Sequence, residues 1–395
     1  MTEAENKKFK RLRIAKRILL GIIVLYMIFL VAVNSDALSP DNAKRMIFNI
    51  KKSFSSEKRS EISVDTSDGF SVKPFKDGFV TLTKGQLTVY SSDFHVYSTY
   101  GIGLANPVLR VSDRYILCYD RGGKRLYVTD SFNILFEHEY EKGIINADID
   151  RDGCLVVAVN GDDEDSSAGS DRAKAYKGAV LVYDKEYNKI FRWWSADGYI
   201  ADVVATSKNN IQVITVEAEG TGSDTVIRSF NYRSVSGQER EVVRVDGRIA
   251  LMSELKSDGS LELFSTYDVV SVRGEGYNVI RDLEGENVVL AVRGKDYSMI
   301  ASVLDRSRKI YLVTAFDTVG NVCFSREFDS VSTMAVYGSD FYVESARTVI
   351  RLDRSGNITG SAELESAAIQ ILPIQRKVLL VGVNKILKLD FSQQE

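Results

Sequence analysis

The chain has 395 residues, 44% of them hydrophobic and 10% aromatic, with a formal net charge of −3. That is enough apolar material for a large core, and four prolines leave no room for long proline-rich linkers. The charge is uneven: residues 1–17 hold seven Lys/Arg against Glu3 and Glu5, so the remainder is acidic. An acidic body without Lys/Arg-rich stretches argues against a nucleic-acid partner, which requires a basic face to neutralise phosphates.

The basic tail 1–17 leads into residues 18–33, ILLGIIVLYMIFLVAV, an uncharged run. As a helix it would extend about 24 Å, somewhat short of a bilayer core of about 30 Å. Lys16 and Arg17 can snorkel at one end, and Ala37 and Leu38 can be drawn in at the other. A cleaved signal peptide is the competing reading, with Ser35-Asp36-Ala37 as the cut. The run is long for that, and Val31 and Val33 are bulky. The expectation is an uncleaved transmembrane signal anchor over 18–34. The basic residues before it keep the N-terminus cytoplasmic and place the body outside the membrane. Residues 35–60 then form a stalk. Ser39-Pro40 predicts a helix start, with Met46, Ile47, Ile50 and Phe54 near one face and Lys44, Arg45, Lys51 and Lys52 elsewhere. Such a helix either rests on the membrane surface or serves as a spacer.

From residue 61 the pattern changes to short strands. Apolar runs recur at 79–82, 115–119, 154–159, 211–216, 261–264, 288–292, 341–343 and 378–383, as expected for inner strands buried on both faces. Each is followed by a strand–turn–strand pair. Residues 125–140, RLYVTDSFNILFEHEY, show the pair most plainly. Its relatives lie at 87–97, 180–191, 227–240, 311–324 and 349–358, with a weaker one around Tyr277-Asn278-Val279. The residues just after the turns are Val96, Ile134, Ile190, Gln238, Val279, Val322 and Ile358. They recur at roughly 40 residues once an insertion at 161–177 is set aside, the period of a β-propeller with four strands per blade. Helical repeats are disfavoured by the Val/Ile/Tyr/Thr content, and a single β-sandwich by the length.

Residues 378–383 and 385–391 add two strands at one end, and 61–66 and 70–75 two at the other. Pairing them would complete an eighth blade and remove exposed sheet edges. The fold class expected is therefore all-β: a single propeller over 61–395 with eight blades, after one N-terminal transmembrane helix. Seven is the alternative count, because 282–308 fits the pattern least well.

An anchor followed by spaced strand–turn–strand units, with phrases such as YILCYDRGGK at 115–124, resembles an uncharacterised family of membrane-anchored propellers from Gram-positive anaerobic bacteria. That family is related in shape to the PQQ-like and WD40-like propellers. The resemblance covers nearly the whole chain and rests on diffuse repeat phrasing, since Trp-Asp dipeptides and regular Gly-His pairs are absent. It implies an extracytoplasmic propeller and transfers no catalytic residue.

No residue is assigned a catalytic, cofactor-binding or metal-ligating role, and no cofactor is expected. Asp148, Asp150, Asp152 and Gly153 match the opening of a calcium loop, but Val156 and Val159 stand where its later ligands belong. An ordinary turn is the stronger reading. The acidic insertion 161–177 reads as a solvated loop, with a cation or basic-partner contact as the alternative. Of Trp193 and Trp194, neighbours in a strand, one should face a blade interface and the other solvent. His95 and His138 both fall in or beside a blade hairpin; Glu137 and Glu139 beside His138 point to the other face of the strand, so His138 reads as blade surface, and with two histidines a histidine-ligated metal site is not expected. Cys118, Cys154 and Cys323, odd in number and widely spaced, form neither a disulfide framework nor a metal cluster. Gly101-Ile-Gly103 and Gly274-Glu-Gly276 read as turns, and Asn357-Ile-Thr359 is a glycosylation sequon by pattern only.

Two function classes remain. One is a binding or scaffolding module engaging an envelope protein or polymer. The other is a propeller enzyme: a lyase, a glycan hydrolase or a quinone-dependent dehydrogenase. Two or more carboxylates with an arginine near the central axis would mark the enzyme, and a smooth or apolar channel the binding module.

Overall fold

The computed structural model describes residues 39–53, 59–66, 69–161, 176–206, 209–220, 222–233, 239–307, 309–375 and 377–391, together with 16 and 21–22. The anchor segment 18–34, apart from Gly21 and Ile22, and the body of the insertion 161–177 lie outside the described residues. Among the described residues no helix is long and apolar enough to cross a membrane. Contacts divide the chain into two units, Met1–Glu57 and Lys58–Glu395.

In the first unit the helix Pro40–Ser53 begins where the sequence predicts. The Asn42 amide donates to Ser39 Oγ at 3.3 Å, the N-cap bond that a serine before proline offers. Met46, Ile47 and Ile50 are exposed, and Lys51 and Lys52 sit in the last turn, where cations complement the helix dipole.

The second unit is an eight-bladed propeller, its described residues forming eight four-stranded antiparallel sheets. Seven blades are sequential in the chain: 71–101, 107–139, 144–195, 199–245, 252–282, 288–328 and 334–363. The eighth combines Gln370–Ile374, Lys377–Val381 and Lys385–Leu389 with Glu61–Ser63 from the other end, in register Ile62↔Ile386. The eight-blade expectation and its closure by both termini hold, but the split is three and one rather than two and two. Ser71–Phe75 is the first strand of blade one, paired to Gly78–Leu82. Gln370–Ile374 went unrecognised because Pro373 interrupts a short run, which a channel-lining edge strand tolerates. Substituting Ile62 by Asp puts a charge into a partly buried apolar site. It is expected to destabilise the propeller by about 2 kcal/mol and to uncover Lys385–Leu389 as a free edge. Urea unfolding with size-exclusion chromatography checks this; an unchanged midpoint with no added oligomers would contradict the closure.

A second correction concerns strand position. The apolar runs are the second strand of each blade, as with Gly78–Leu82, Ile116–Asp120 and Leu155–Val159, every residue of which is buried. A second strand has hydrogen-bonded neighbours on both edges and a blade on both faces, so most of its side chains are apolar. Residues 288–292 are the exception. They belong to Val288–Arg293, a first strand that is only half-buried, and Tyr297–Asp305 is the buried strand of that blade.

The core lies between blades rather than inside any one. Leu117 and Val128 of blade two meet Val157 and Leu181 of blade three, and Val204 and Ile227 of blade four meet Leu263 and Val270 of blade five. Leu379 and Ile386 of the closing blade pack with Phe79 and Phe94 of blade one. The hairpins joining third and fourth strands repeat one device. Asp184, Asp317 and Asp353 each accept the backbone amides two and four residues on, at 2.8–3.1 Å, and receive the side-chain amide of Asn188, Asn321 or Asn357. Asp130 and Asn133 form a shorter version. This Asp–Asn signature, legible as YDKEYN, FDTVGN and LDRSGN, accounts for the sequon residue Asn357.

Candidate functional site: the axial channel

The first strand of each blade lines the central axis. In six of them one or two polar side chains interrupt an apolar run: Lys73, Arg110, Asn146, Asp202, Ser253 with Glu254, and Arg293. These residues, with Arg121, line a cavity of about 500 Å³ that also presents Ile145, Ile214, Leu251 and Met252. The first strands of blades seven and eight, Met334–Tyr337 and Gln370–Ile374, carry no charged residue. The charged sector therefore covers blades one to six.

Asp202 is the centre of this sector. Its Oδ1 accepts Arg110 Nη2 at 3.2 Å, Asn146 Nδ2 at 2.6 Å and the Val203 amide at 2.9 Å. Its Oδ2 accepts the Ser253 hydroxyl. Donors from blades two, three, four and five thus converge on one carboxylate. Asn146 is held in turn by Tyr119, whose hydroxyl donates to Asn146 Oδ1 at 2.5 Å. Arg293 Nη1 donates to the Ser253 carbonyl at 2.5 Å and lies 3.9 Å from Glu254, adding blade six. For Arg110, burial works against the charged form, but Asp202 and Asp148 more than offset it and the guanidinium is held charged.

Lys73 differs. Neither a hydrogen bond nor an ion pair engages its side chain among the described residues. The side chain is exposed to the channel, yet partial desolvation beside the wall, then the nearby Arg110 and Arg293, lower its pKa, while Glu254 and Asp148 pull it back up. The Arg121 side chain likewise has no partner among the described residues.

Asp148, two residues along from Asn146, accepts the Ala205 amide at 3.0 Å. Burial raises its carboxyl to about 6, against the opposing pull of Arg110. A carboxyl bound more tightly by its proton when folded adds stability that is complete below its unfolded pKa near 4 and is lost as pH rises through about 6. The variant Asp148→Asn keeps an acceptor for Ala205 and should flatten this part of the stability–pH curve. Urea midpoints at pH 4.5, 6 and 7.5 read it out; an unaltered slope would refute the assignment.

The other sequence candidates are resolved by position. Asp150 Oδ1 accepts the Asp152 and Cys154 amides at 2.8 and 2.9 Å, and Gly153 has φ +91°. The DxDxDG stretch is a turn between the first two strands of blade three, and its three carboxylates do not converge on one point. Among the described residues no group of three His, Cys, Asp or Glu is placed to hold a metal ion. Trp193 packs 5.4 Å from Phe230 across the blade three–four interface, whereas Trp194 is exposed beside Tyr176 and Arg192. The His138 ring stacks on Phe136 and meets Tyr140 edge-on in the outermost strand of blade two. Cys118 and Cys154 are buried, Cys323 half-buried, and all three thiols are free. Burial pushes the Cys118 and Cys154 thiols up to about 12, where they are unreactive. A rim cavity of about 530 Å³ opens between blades three and four, lined by Asp150, Cys154, Asn209 and Tyr232 among others. Asp150 and Asp184 are taken up by the turns they close, and Tyr232 donates to Asn209 at 3.3 Å. The channel residues escaped the sequence reading although a signal exists: one or two polar positions inside six otherwise apolar first strands, as in PVLRV, IINADI and YIADVVAT.

An eight-bladed ring with a polar, laced axial channel defines this chain as a β-propeller. It belongs to the family of unknown function DUF5711, whose model matches residues 49–391. No curated protein matches its sequence. Among solved structures it is similar to BamB from Moraxella catarrhalis, at 14% identity and TM-score 0.52 over 85% of this chain and 99% of that one. A eukaryotic initiation factor is similar at 12% identity and TM-score 0.55, over 86% and 89%. So is the quinohemoprotein alcohol dehydrogenase ADHIIG from Pseudomonas putida HK5, at 9% identity and TM-score 0.51, over 85% and 76%. At such identities the likeness is one of fold.

Proposed function

We propose that this protein is a membrane-anchored, extracytoplasmic propeller serving as a non-catalytic binding or scaffolding module of the cell envelope. Residues 1–17 form its cytoplasmic tail, 18–34 its anchor, 35–60 its stalk and 61–395 the propeller. The membrane and an envelope protein or polymer are its partners, in a Gram-positive anaerobic bacterium. The charge step from the basic tail to an acidic body supports the orientation, and the exposed Met46, Ile47 and Ile50 beside lysines suit a stalk helix at a membrane surface.

The saturation of Asp202 carries the non-catalytic reading. The channel does contain two carboxylates with arginines, the arrangement expected of an enzyme. Asp202 Oδ1 accepts three donors, and its Oδ2 accepts Ser253 and, at 3.5 Å, Arg110, so the carboxylate is engaged by the wall around it; it ties blades together instead. The test uses the full chain, epitope-tagged at its C-terminus, in intact Gram-positive cells. External protease should remove the tag, and crosslinking in the membrane should recover the same partner reproducibly. A protected tag, or a crosslinked monomer alone, would sink the proposal.

The propeller-enzyme reading retains one supporting observation, Glu254 with Arg293 in the cavity wall. Loss of a turnover activity in Glu254→Gln, with stability unchanged, would establish it.

A further inference from the structure

The charge lining the axial cavity is unbalanced. Lys73, Arg110, Arg121 and Arg293 face it against two lining carboxylates, Asp202 and Glu254, in a chain whose net charge is −3. Both carboxylates are committed within the wall, Asp202 to four donors and Glu254 towards Arg293. Arg110 is committed to Asp202. That leaves Lys73 and Arg121 with no side-chain partner, and Arg293 with Nη2 unused, among the described residues.

Lys73 and Arg121 are exposed and Arg293 is half-buried, so their donors stand open to the channel, and like charges gathered around one cavity repel. The same wall matches Arg110 with a carboxylate and leaves Lys73 and Arg121 open. Donors held open around a cavity of this size are instead complementary to an anion that arrives from outside. A volume of about 500 Å³ lies within the roughly 300–1,000 Å³ of small-molecule sites. Ile145, Ile214, Leu251 and Met252 add apolar wall, so the occupant carries a carbon body as well as its charge.

We propose that the axial channel binds a small organic oxyanion, its charged group held by Lys73, Arg121 and Arg293 and its body lying against Ile145, Ile214 and Leu251. The shared chemistry is the oxyanion: a carboxylate or a phosphate group presents two or more acceptors to these donors. The site is independent of the envelope reading. A missing crosslinked partner would remove the scaffold and leave this site standing, whereas failure to bind anions would do the reverse.

The test titrates the purified full chain with succinate in one arm and inorganic phosphate in the other, at constant ionic strength, with sodium chloride as control. Calorimetry and the thermal midpoint are the readouts. At least one arm should saturate with a rise in midpoint. Saturation by succinate identifies a carboxylate source and saturation by phosphate a phosphate-ester source; either supports the site. Lys73→Gln combined with Arg121→Gln should weaken that binding about 10-fold or more, and Lys73→Arg should keep it within about threefold. Neither side chain makes a hydrogen bond among the described residues, so the variants should fold; Lys73→Met alone is the substitute if the double variant does not. No saturation in either arm, an equal response to chloride, or undiminished affinity in the folded variants would overturn the proposal.

Discussion

Replacing Lys256 by Met alone should destabilise the propeller by about 3–5 kcal/mol, because it strands a buried carboxylate. The Lys256 and Glu262 side chains are each only 1% exposed, with Nζ and Oε1 2.7 Å apart. All three ammonium protons are used: on Glu262, on the Gly294 carbonyl at 3.0 Å and on Ser298 Oγ at 2.8 Å. Ser298 passes its own proton to Glu262 at 2.6 Å. Lys256 and Glu262 belong to blade five, Gly294 and Ser298 to the start of blade six, so the pair staples two blades in a place where no water can substitute. Glu262→Met alone should cost as much, by stranding the ammonium. The double variant Lys256→Met with Glu262→Met should recover most of the loss, since an apolar pair of similar volume needs no desolvation of charge. Denaturant unfolding of the four proteins forms a double-mutant cycle. Additive losses in the double variant would show that the pair is not coupled as the geometry requires.

The second large effect is expected at Asp202. Its removal in Asp202→Ala leaves Arg110, Asn146 and Ser253 without their shared acceptor, at an expected loss of about 2–4 kcal/mol. The lower end of that range reflects the channel water available to Arg110, whose side chain is 27% exposed. Asp202→Asn keeps the shape and one acceptor and should cost less than half as much. The distinctive consequence is cooperative: four blades lose their tie at once, so unfolding should broaden or split when followed by calorimetry. A sharp, unshifted transition would mean that the inter-blade cores carry the ring without the channel network.

Both expectations turn on residues that the linear pattern left silent, for a definite reason. Lys256 follows a short strand and reads as an exposed charge, and Glu262 is the one charge inside the apolar run LELF, with no partner marked in the sequence. Only the packing of blade six over them makes the pair buried. Asp202 in YIADVVAT reads as the polar face of an alternating strand, and its hydrogen-bond partners lie 51 to 92 residues away in the chain. Periodicity reports which side of a strand a residue occupies, and it says nothing about which other strands converge on that side. The DxDxDG stretch shows the opposite case. Its spacing suggested converging ligands, but Asp150 caps its own turn while Asp148 reaches across to the Ala205 amide of blade four.

The sequence by itself determined the class of fold, and it pointed to eight blades, with seven as the alternative, and to closure by both ends. These depend on local properties: strand propensity, buried second strands, and Asp–Asn hairpins repeated at roughly 40 residues. It also carried the charge asymmetry of the N-terminal region. The tertiary structure alone decided which strand lines the axis, how the closing blade divides between the termini, and that seven polar positions from six blades form one channel. Ring closure brings residues far apart in sequence to a common axis, and the energies that act there, desolvation and charge pairing, depend on distance in space.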